Sequence, residues 1–138
     1  MDKYEVKKQF KDLYAPRARD FEVVSVPPLN YLMLDGQGNP GTAPAYTAAL
    51  EALYSVSYAV KFASKHAGRD YVVGPLEGLW TASDPDDEAP TLRRLHNEYM
   101  PANGLGFAGL HHEIYLSDAR WVAPEKLKTI LRQPVRRL

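Results

Sequence analysis

Apolar residues recur at helical spacing in several stretches of the chain. They predict helices over residues 4–14, 42–66, 92–99 and 124–131. The longest has Thr42 at the N-cap position and Pro44 in its first turn, and both favour a helix start. Gly68 follows its expected end near His66, as is typical of a helix C-terminus. Pro16 ends the first helix.

Residues with β propensity alternate along other stretches. They predict strands over residues 22–26, 31–34, 71–80 and 111–117. Residues 103–109 hold three glycines and are expected to form a mobile connection. The spacers are too irregular for repeated parallel crossovers. The pattern therefore predicts an α+β fold with a mainly antiparallel sheet and packed helices, in one domain over residues 1–138.

Composition narrows the class of protein. Seventeen basic side chains balance seventeen acidic ones among 138 residues, so no overall field attracts nucleic acid or a membrane surface. The absence of cysteine excludes disulfides and thiolate ligands. No apolar stretch is long enough to span a bilayer, and the N-terminus lacks the apolar core of a signal peptide. We expect a cytoplasmic protein. Nine tyrosines and two tryptophans supply unusually many aromatic rings.

Glu113 is the most informative charged residue. Strand alternation over residues 111–117 places His111, Glu113 and Tyr115 on one face, and Ile114 with Leu116 on the other as the core pair. Glutamate is disfavoured inside a strand. Glu113 therefore lies either on a solvated face or in a pocket, where it would pair with a ligand cation or act as an acid or base with a raised pKa.

Other site chemistries find little support. His111 and His112 point to opposite faces and cannot chelate one ion together, and His66 and His96 have no partner at ligand spacing. We expect no metal. The sparse glycines lack the spacing of a dinucleotide-binding loop, and no Gly-x-Ser-x-Gly motif is present. We expect no cofactor.

Two aromatic features accompany Glu113. Tyr54, Tyr58 and Phe62 follow one another every four residues and form either a wide core face or one wall of a cavity between helix and sheet. Trp80 closes the 71–80 strand and is either a core anchor or a pocket wall. Glu77, on the opposite face from Trp80 by alternation, is either a second carboxylate of a site or a surface charge.

The chain resembles the stand-alone bacterial branch of the GyrI-like small-molecule-binding family over nearly its whole length. The stretches that carry the resemblance are Tyr14-Ala15-Pro16, Tyr54-Ser55-Val56-Ser57-Tyr58 with Lys61-Phe62, Pro75-Leu76-Glu77-Gly78-Leu79-Trp80, and the tail from His111-His112-Glu113-Ile114-Tyr115-Leu116 to Gln133-Pro134. The family fold is a pair of βαββ modules around a central ligand cavity. Its relatives include drug-sensing domains and hydrolases of cyclopropane-bearing DNA-alkylating toxins.

The resemblance also implies a site and a departure from it. The family's pocket carboxylate corresponds to Glu113, and its aromatic lining to Tyr54, Tyr58, Trp80 and Tyr115. Where the family carries a long extra stretch after Trp80, this chain has only residues 81–87, so the second module is expected to be shortened. A homodimer or a domain swap would then complete the pocket.

Three functions follow as hypotheses. The leading one is binding of a flat, apolar or cationic xenobiotic in an aromatic pocket centred on Glu113. The second is hydrolysis of an electrophilic, cyclopropane-type genotoxin, with Glu113 as acid or base and Tyr58 or Trp80 positioning the substrate. The third is a non-catalytic module whose aromatic face binds another protein chain.

Overall fold

A computed structural model of the chain describes residues 3–16, 21–36, 44–80, 90–117, 123, 126 and 128–138. These residues form helices α1 (Val6–Gln9), α2 (Lys11–Tyr14), α3 (Pro44–His66), α4 (Pro90–Arg94) and α5 (Met100–Ala102), and strands β1 (Leu76–Trp80), β2 (Leu105–Phe107), β3 (His111–Tyr115), β4 (Thr129–Arg132) and β5 (Val135–Arg137). A π-helical segment, Leu95–Tyr99, joins α4 to α5. All strand pairs are antiparallel, which confirms the predicted α+β class. Among the described residues, no helix has the length and apolarity to cross a membrane.

The chain divides into two compact units. The N-terminal unit comprises Met1–Leu13 and Val24–Gly74, and the C-terminal unit comprises Tyr14–Val23 and Pro75–Leu138. The prediction of one domain over residues 1–138 is not tested by this division and stays a prediction.

In the N-terminal unit, α3 ends as its sequence predicts. Gly68 adopts a φ of 89°, a left-handed conformation that glycine adopts without steric cost. Its N–H donates to the Lys65 carbonyl at 3.0 Å, so the last turn is closed by backbone bonds. Asp70 follows, buried, with one oxygen 2.7 Å from Lys61 Nζ. Tyr71 makes a parallel bridge with Tyr4, which ties the start of the chain to the end of α3.

In the C-terminal unit, a three-stranded sheet has the order β1-β3-β4, and β2 pairs separately with β5. The central strand β3 therefore has a hydrogen-bonded neighbour on each side. The described core of this unit is apolar apart from one phenol, and its members are Tyr14, Met100, Leu105, Ile114 and Ile130. Ile114 is fully buried, as predicted, and Leu116 is half-buried.

Several expected elements differ in the N-terminal half. Residues 4–14 form two short helices, because Phe10 leaves the helical region with φ −121° and ψ 54°. Residues 22–26 and 31–34 form no strand. These residues have β propensity but pair with no strand that the structure describes. Pro27 and Pro28, which lie between the two stretches, also lack the backbone N–H groups that a β-ladder requires. The 71–80 strand is confined to β1, since Pro75 supplies no backbone N–H.

The C-terminal predictions also need correction. The expected mobile connection at residues 103–109 contains β2, and Val135–Arg137, near the arginine-rich end of the chain, pair with it as β5, although Arg136 and Arg137 remain exposed. The expected helix over 124–131 is wrong for Thr129–Leu131, which lie in β4, where β-branched Thr129 and Ile130 favour a strand. Thr42 and residues 81–87 lie outside the described residues, so the helix cap and the shortened module stay predictions.

Candidate active site

The central strand β3 carries a different set of side chains on each face. In its register with β1, Gly78 lies opposite Glu113 and Trp80 lies opposite His111. Directly opposed residues of an antiparallel pair share a face. The first face therefore holds Glu113 and His111 together with Trp80 and Tyr115, which we call the Glu113 cluster.

Both oxygens of the Glu113 carboxylate accept a hydrogen bond from a side chain on the same strand. His111 Nε2 lies 3.0 Å from Oε1, and Tyr115 Oη donates to Oε2 over 2.7 Å. A carboxylate only accepts, so His111 donates through Nε2. Trp80 Nε1 in turn donates to Tyr115 Oη at 2.9 Å. This chain from indole to phenol to carboxylate fixes the orientation of Glu113.

These donors determine the charge of Glu113. The hydrogen bond from His111 lowers the pKa of the Glu113 carboxyl below its ordinary value, and the Tyr115 hydroxyl adds to this effect. Partial burial opposes both and does not reverse the direction. The expectation of a raised pKa is therefore wrong. Glu113 is ionised at neutral pH, and its side chain is 23% exposed, so a small molecule can reach it.

Gly78 has no side chain, and this leaves room for the Trp80 indole beside the Glu113 carboxylate. A Cβ at that position would lie 2.8 Å from Trp80 Nε1 and 3.2 Å from its Cε2. The indole therefore packs directly across the Gly78 backbone, in the register position that faces Glu113. Glycine at this position allows the Trp80 ring to approach the backbone closely.

A second polar cluster occupies the opposite face of the same sheet. Glu77 Oε1 lies 2.7 Å from His112 Nε2, and Tyr14 Oη donates to Glu77 Oε2 over 3.1 Å. Each face thus has a glutamate held by one imidazole and one phenol. The register of β1 with β3 places the two glutamates on opposite faces, and nothing in the sequence pairs Tyr14 with Glu77.

His96 is a further neighbour that sequence spacing missed. The π-helical segment Leu95–Tyr99 places its ring edge-on to His111, with 6.5 Å between centroids, and 5.1 Å from Phe107. π-Helical turns recur at functional sites. Within the ranges the structure describes, no three His, Asp or Glu residues form a group able to hold a metal ion.

Two residues of the expected lining belong to the N-terminal unit. Tyr54 and Tyr58 both lie on α3; Tyr54 is half-buried, whereas Tyr58 is 45% exposed and contacts the Phe62 ring at 6.4 Å. Their participation in a site with Glu113 stays a prediction. The structure brings together the other three members of the expected site, which are Trp80, Glu113 and Tyr115.

Comparison with solved structures finds close neighbours from one bacterium. A hydrolase from Listeria innocua is 30% identical, with a TM-score of 0.76, and the match covers 97% of this chain and 100% of that one. This chain belongs to the same family as that protein. Another solved structure of a Listeria innocua hydrolase is 29% identical with a TM-score of 0.77, covering 98% and 100% of the two chains.

A conserved Listeria innocua protein of uncharacterized function is 28% identical with a TM-score of 0.77, over 97% of this chain and 100% of that one. No protein-family model matches the chain, and no curated protein matches it. The neighbours support the fold along nearly the whole sequence. Two of these solved structures are described as hydrolases.

Proposed function

We propose that this protein is a hydrolase of a small electrophilic organic molecule, with the Glu113 carboxylate as the general base. The observation that carries the proposal is the carboxylate itself. It is partly exposed, ionised by a lowered pKa, and fixed by His111 and Tyr115. The hydrolase neighbours at 30% and 29% identity support the same reaction class.

A carboxylate in this state suits proton abstraction better than proton donation. Each Glu113 oxygen accepts one side-chain hydrogen bond and keeps a further lone pair for a water molecule. Glu113 would remove a proton from that water as its oxygen forms a bond to the electrophilic carbon. The bond from that carbon to its leaving atom breaks, and its electron pair passes to the leaving atom. Protonated Glu113 then returns the proton to that atom.

The neighbouring rings indicate the shape of the substrate. The Trp80 indole lies across Gly78 on the Glu113 face, where it offers a flat apolar surface beside a negative charge. Flat, apolar molecules stack on such a ring, and a cationic centre gains from both the ring and the carboxylate. The GyrI-like resemblance narrows this class to cyclopropane-bearing alkylating toxins, whose strained carbon is the electrophile.

For a cyclopropane substrate the leaving atom is a ring carbon conjugated to a carbonyl, so the electron pair and the proton are received by the carbonyl oxygen instead of by that carbon. Water oxygen bonds to one carbon, the strained carbon–carbon bond breaks, and its electron pair moves into a conjugated carbonyl that becomes an enolate or phenolate. The proton held on Glu113 neutralises that oxygen. The product is the substrate plus one water, with no redox change and no cofactor.

Incubation with a cyclopropane-bearing alkylating agent in 18O-labelled water tests the proposal. Mass spectrometry should show a product that contains one labelled oxygen atom. Glu113→Gln removes the base but keeps the shape of the side chain, with an amide oxygen that accepts and an amide nitrogen that donates. Turnover should therefore fall by about 100-fold or more. Glu51→Gln, which removes an exposed carboxylate on α3, is the matched control and should keep full turnover.

The same experiment separates hydrolysis from binding alone. Retention of unreacted toxin by the wild-type protein, lost in Glu113→Gln, would assign the site to sequestration of a ligand. Equal turnover in the wild type and in Glu113→Gln would contradict the role of Glu113. A protein that neither retains nor converts any member of the class contradicts the proposal as a whole.

A further inference from the structure

The two strands that flank β3 place apolar groups on either side of Glu113. On β4, Leu131 lies directly opposite Glu113, so the two side chains share a face with Cβ atoms about 5 Å apart. On β1, Gly78 lies opposite Glu113, and the Trp80 indole packs across its backbone. The carboxylate therefore lies between an aromatic ring on one side and a branched aliphatic group on the other.

Leu131 is not one of the residues that form the core of this unit. Its neighbour Ile130 faces the other side of the sheet, where it is buried and lies opposite the buried Ile114. Leu131 is only half-buried, so part of its side chain stays accessible on the face of the carboxylate. It can therefore offer apolar contact area to a molecule that binds beside Glu113.

Polar and apolar groups are arranged in different directions on this face. The donors to Glu113, which are His111 and Tyr115, precede and follow it along β3. The apolar groups lie across the strands instead, with Trp80 on β1 and Leu131 on β4. Adjacent strands are about 4.8 Å apart, so roughly 10 Å separate the backbones of β1 and β4. A molecule of about this length can contact both apolar groups while its centre lies over Glu113.

We infer that Leu131 determines substrate specificity by selecting an electrophile with a compact aliphatic group on the side away from its flat ring. The flat ring stacks on Trp80, the aliphatic group packs on Leu131, and the reacting carbon lies between them at Glu113. This inference rests on the proposed hydrolysis at Glu113 and narrows its substrate class. Leu131 has no polar side-chain atom, so it contributes contact area and takes no part in proton transfer.

Aryl cyclopropyl ketones that carry hydrogen, methyl or tert-butyl on the cyclopropane test this contact through KM and kcat. Leu131→Ala should raise KM for the tert-butyl compound about tenfold and hardly change KM for the hydrogen compound, because only the larger group reaches the methyl groups that are lost. The kcat should stay within about twofold, since Glu113 and its donors are intact. Leu131→Met keeps an apolar side chain of similar volume and should restore most of the lost affinity. Leu79→Ala, which truncates an exposed leucine on the opposite face of the same sheet, is the matched control and should leave KM unchanged.

Binding is observed separately from turnover by NMR, in the wild-type protein and in Glu113→Gln. The methyl resonances of Leu131 should shift and saturate on titration with the tert-butyl compound, whereas those of Leu79 should not. If the Leu131 shifts saturate but the wild-type protein hydrolyses no compound, the contact at Leu131 stands and the hydrolase proposal fails. Three results would each overturn the inference: an equal rise in KM for all three compounds in Leu131→Ala, a fall in kcat with KM unchanged, or Leu131 resonances that shift in neither protein.

Discussion

Replacement of Gly78 by alanine perturbs the Glu113 cluster without replacing any of its polar side chains. The new Cβ would lie 2.8 Å from Trp80 Nε1, 3.2 Å from Cε2 and 3.4 Å from Cζ2, and ordinary contacts begin near 3.4 Å. The clash is with the indole edge that donates to Tyr115 Oη. The ring therefore cannot stay where it is.

The structure sets the size of the effect. The indole must move by roughly half an ångström to restore ordinary contact, and the 2.9 Å hydrogen bond to Tyr115 must lengthen or break. Overpacking of this kind costs about 1–3 kcal/mol. Tyr115 would then lose the donor that orients its hydroxyl, and the hydrogen bond from Tyr115 to Glu113 would be less well fixed.

Thermal unfolding and the NMR resonance of the Trp80 indole N–H measure both consequences. Gly78→Ala should lower the Tm by several degrees and shift that resonance. Gly36→Ala is the matched control, because its Cβ would meet nothing within 4 Å. A Gly78→Ala protein with the Tm and the indole resonance of the Gly36→Ala protein would refute the packing described for Trp80.

Three further predictions concern charge and backbone. Titration of the Glu113 carboxyl followed by carbon NMR should give a pKa below its ordinary 4.5, whereas a value above 4.5 would contradict the hydrogen bonds from His111 and Tyr115. Asp70→Asn should lower the Tm at neutral pH and much less in acid. The hydrogen bond from Lys61 is the main cause of the lowered pKa of Asp70, and the stabilisation that this carboxylate provides is lost as pH falls through its folded-state pKa. An equal loss of Tm at both pH values would contradict the pairing of Asp70 with Lys61. Gly68→Ala should cost about 1–2 kcal/mol through its φ of 89° alone, measured by urea unfolding, and an unchanged midpoint would contradict that conformation.

The elements that sequence predicts best are those with local signals. Pro44 begins α3, and Gly68 in its left-handed conformation follows its end, because both residues act through their own backbone. Strand β3 was predictable because a buried Ile114 alternates with polar neighbours. Neither element needs information about a distant partner.

Strands that depend on a partner were poorly predicted. Residues 22–26 have the composition of a strand and form none, whereas β2 and β5 form from a glycine-containing stretch and a basic end because they pair with each other. The helix expected over 124–131 is wrong at Thr129–Leu131 for the same reason, since pairing with β3 decides the conformation of β4.

The candidate site shows the same division. Alternation places His111 and Tyr115 on the face of Glu113, and the structure shows that both donate to it. A lowered pKa follows from those donors, although burial alone suggested a raised one. The positions of Gly78 and His96 depend on strand register and on the π-helical segment, which spacing does not reveal.

The central claim, that an ionised Glu113 activates water, is tested most directly by the pH dependence of hydrolysis of a cyclopropane-bearing alkylating agent. With a lowered pKa, the carboxylate persists below the ordinary 4.5, so the rate should stay level from neutral pH to about pH 5 and fall only in stronger acid. A rate that rises on acidification from neutral pH would show that a protonated acid drives the reaction, and would contradict the role proposed for Glu113.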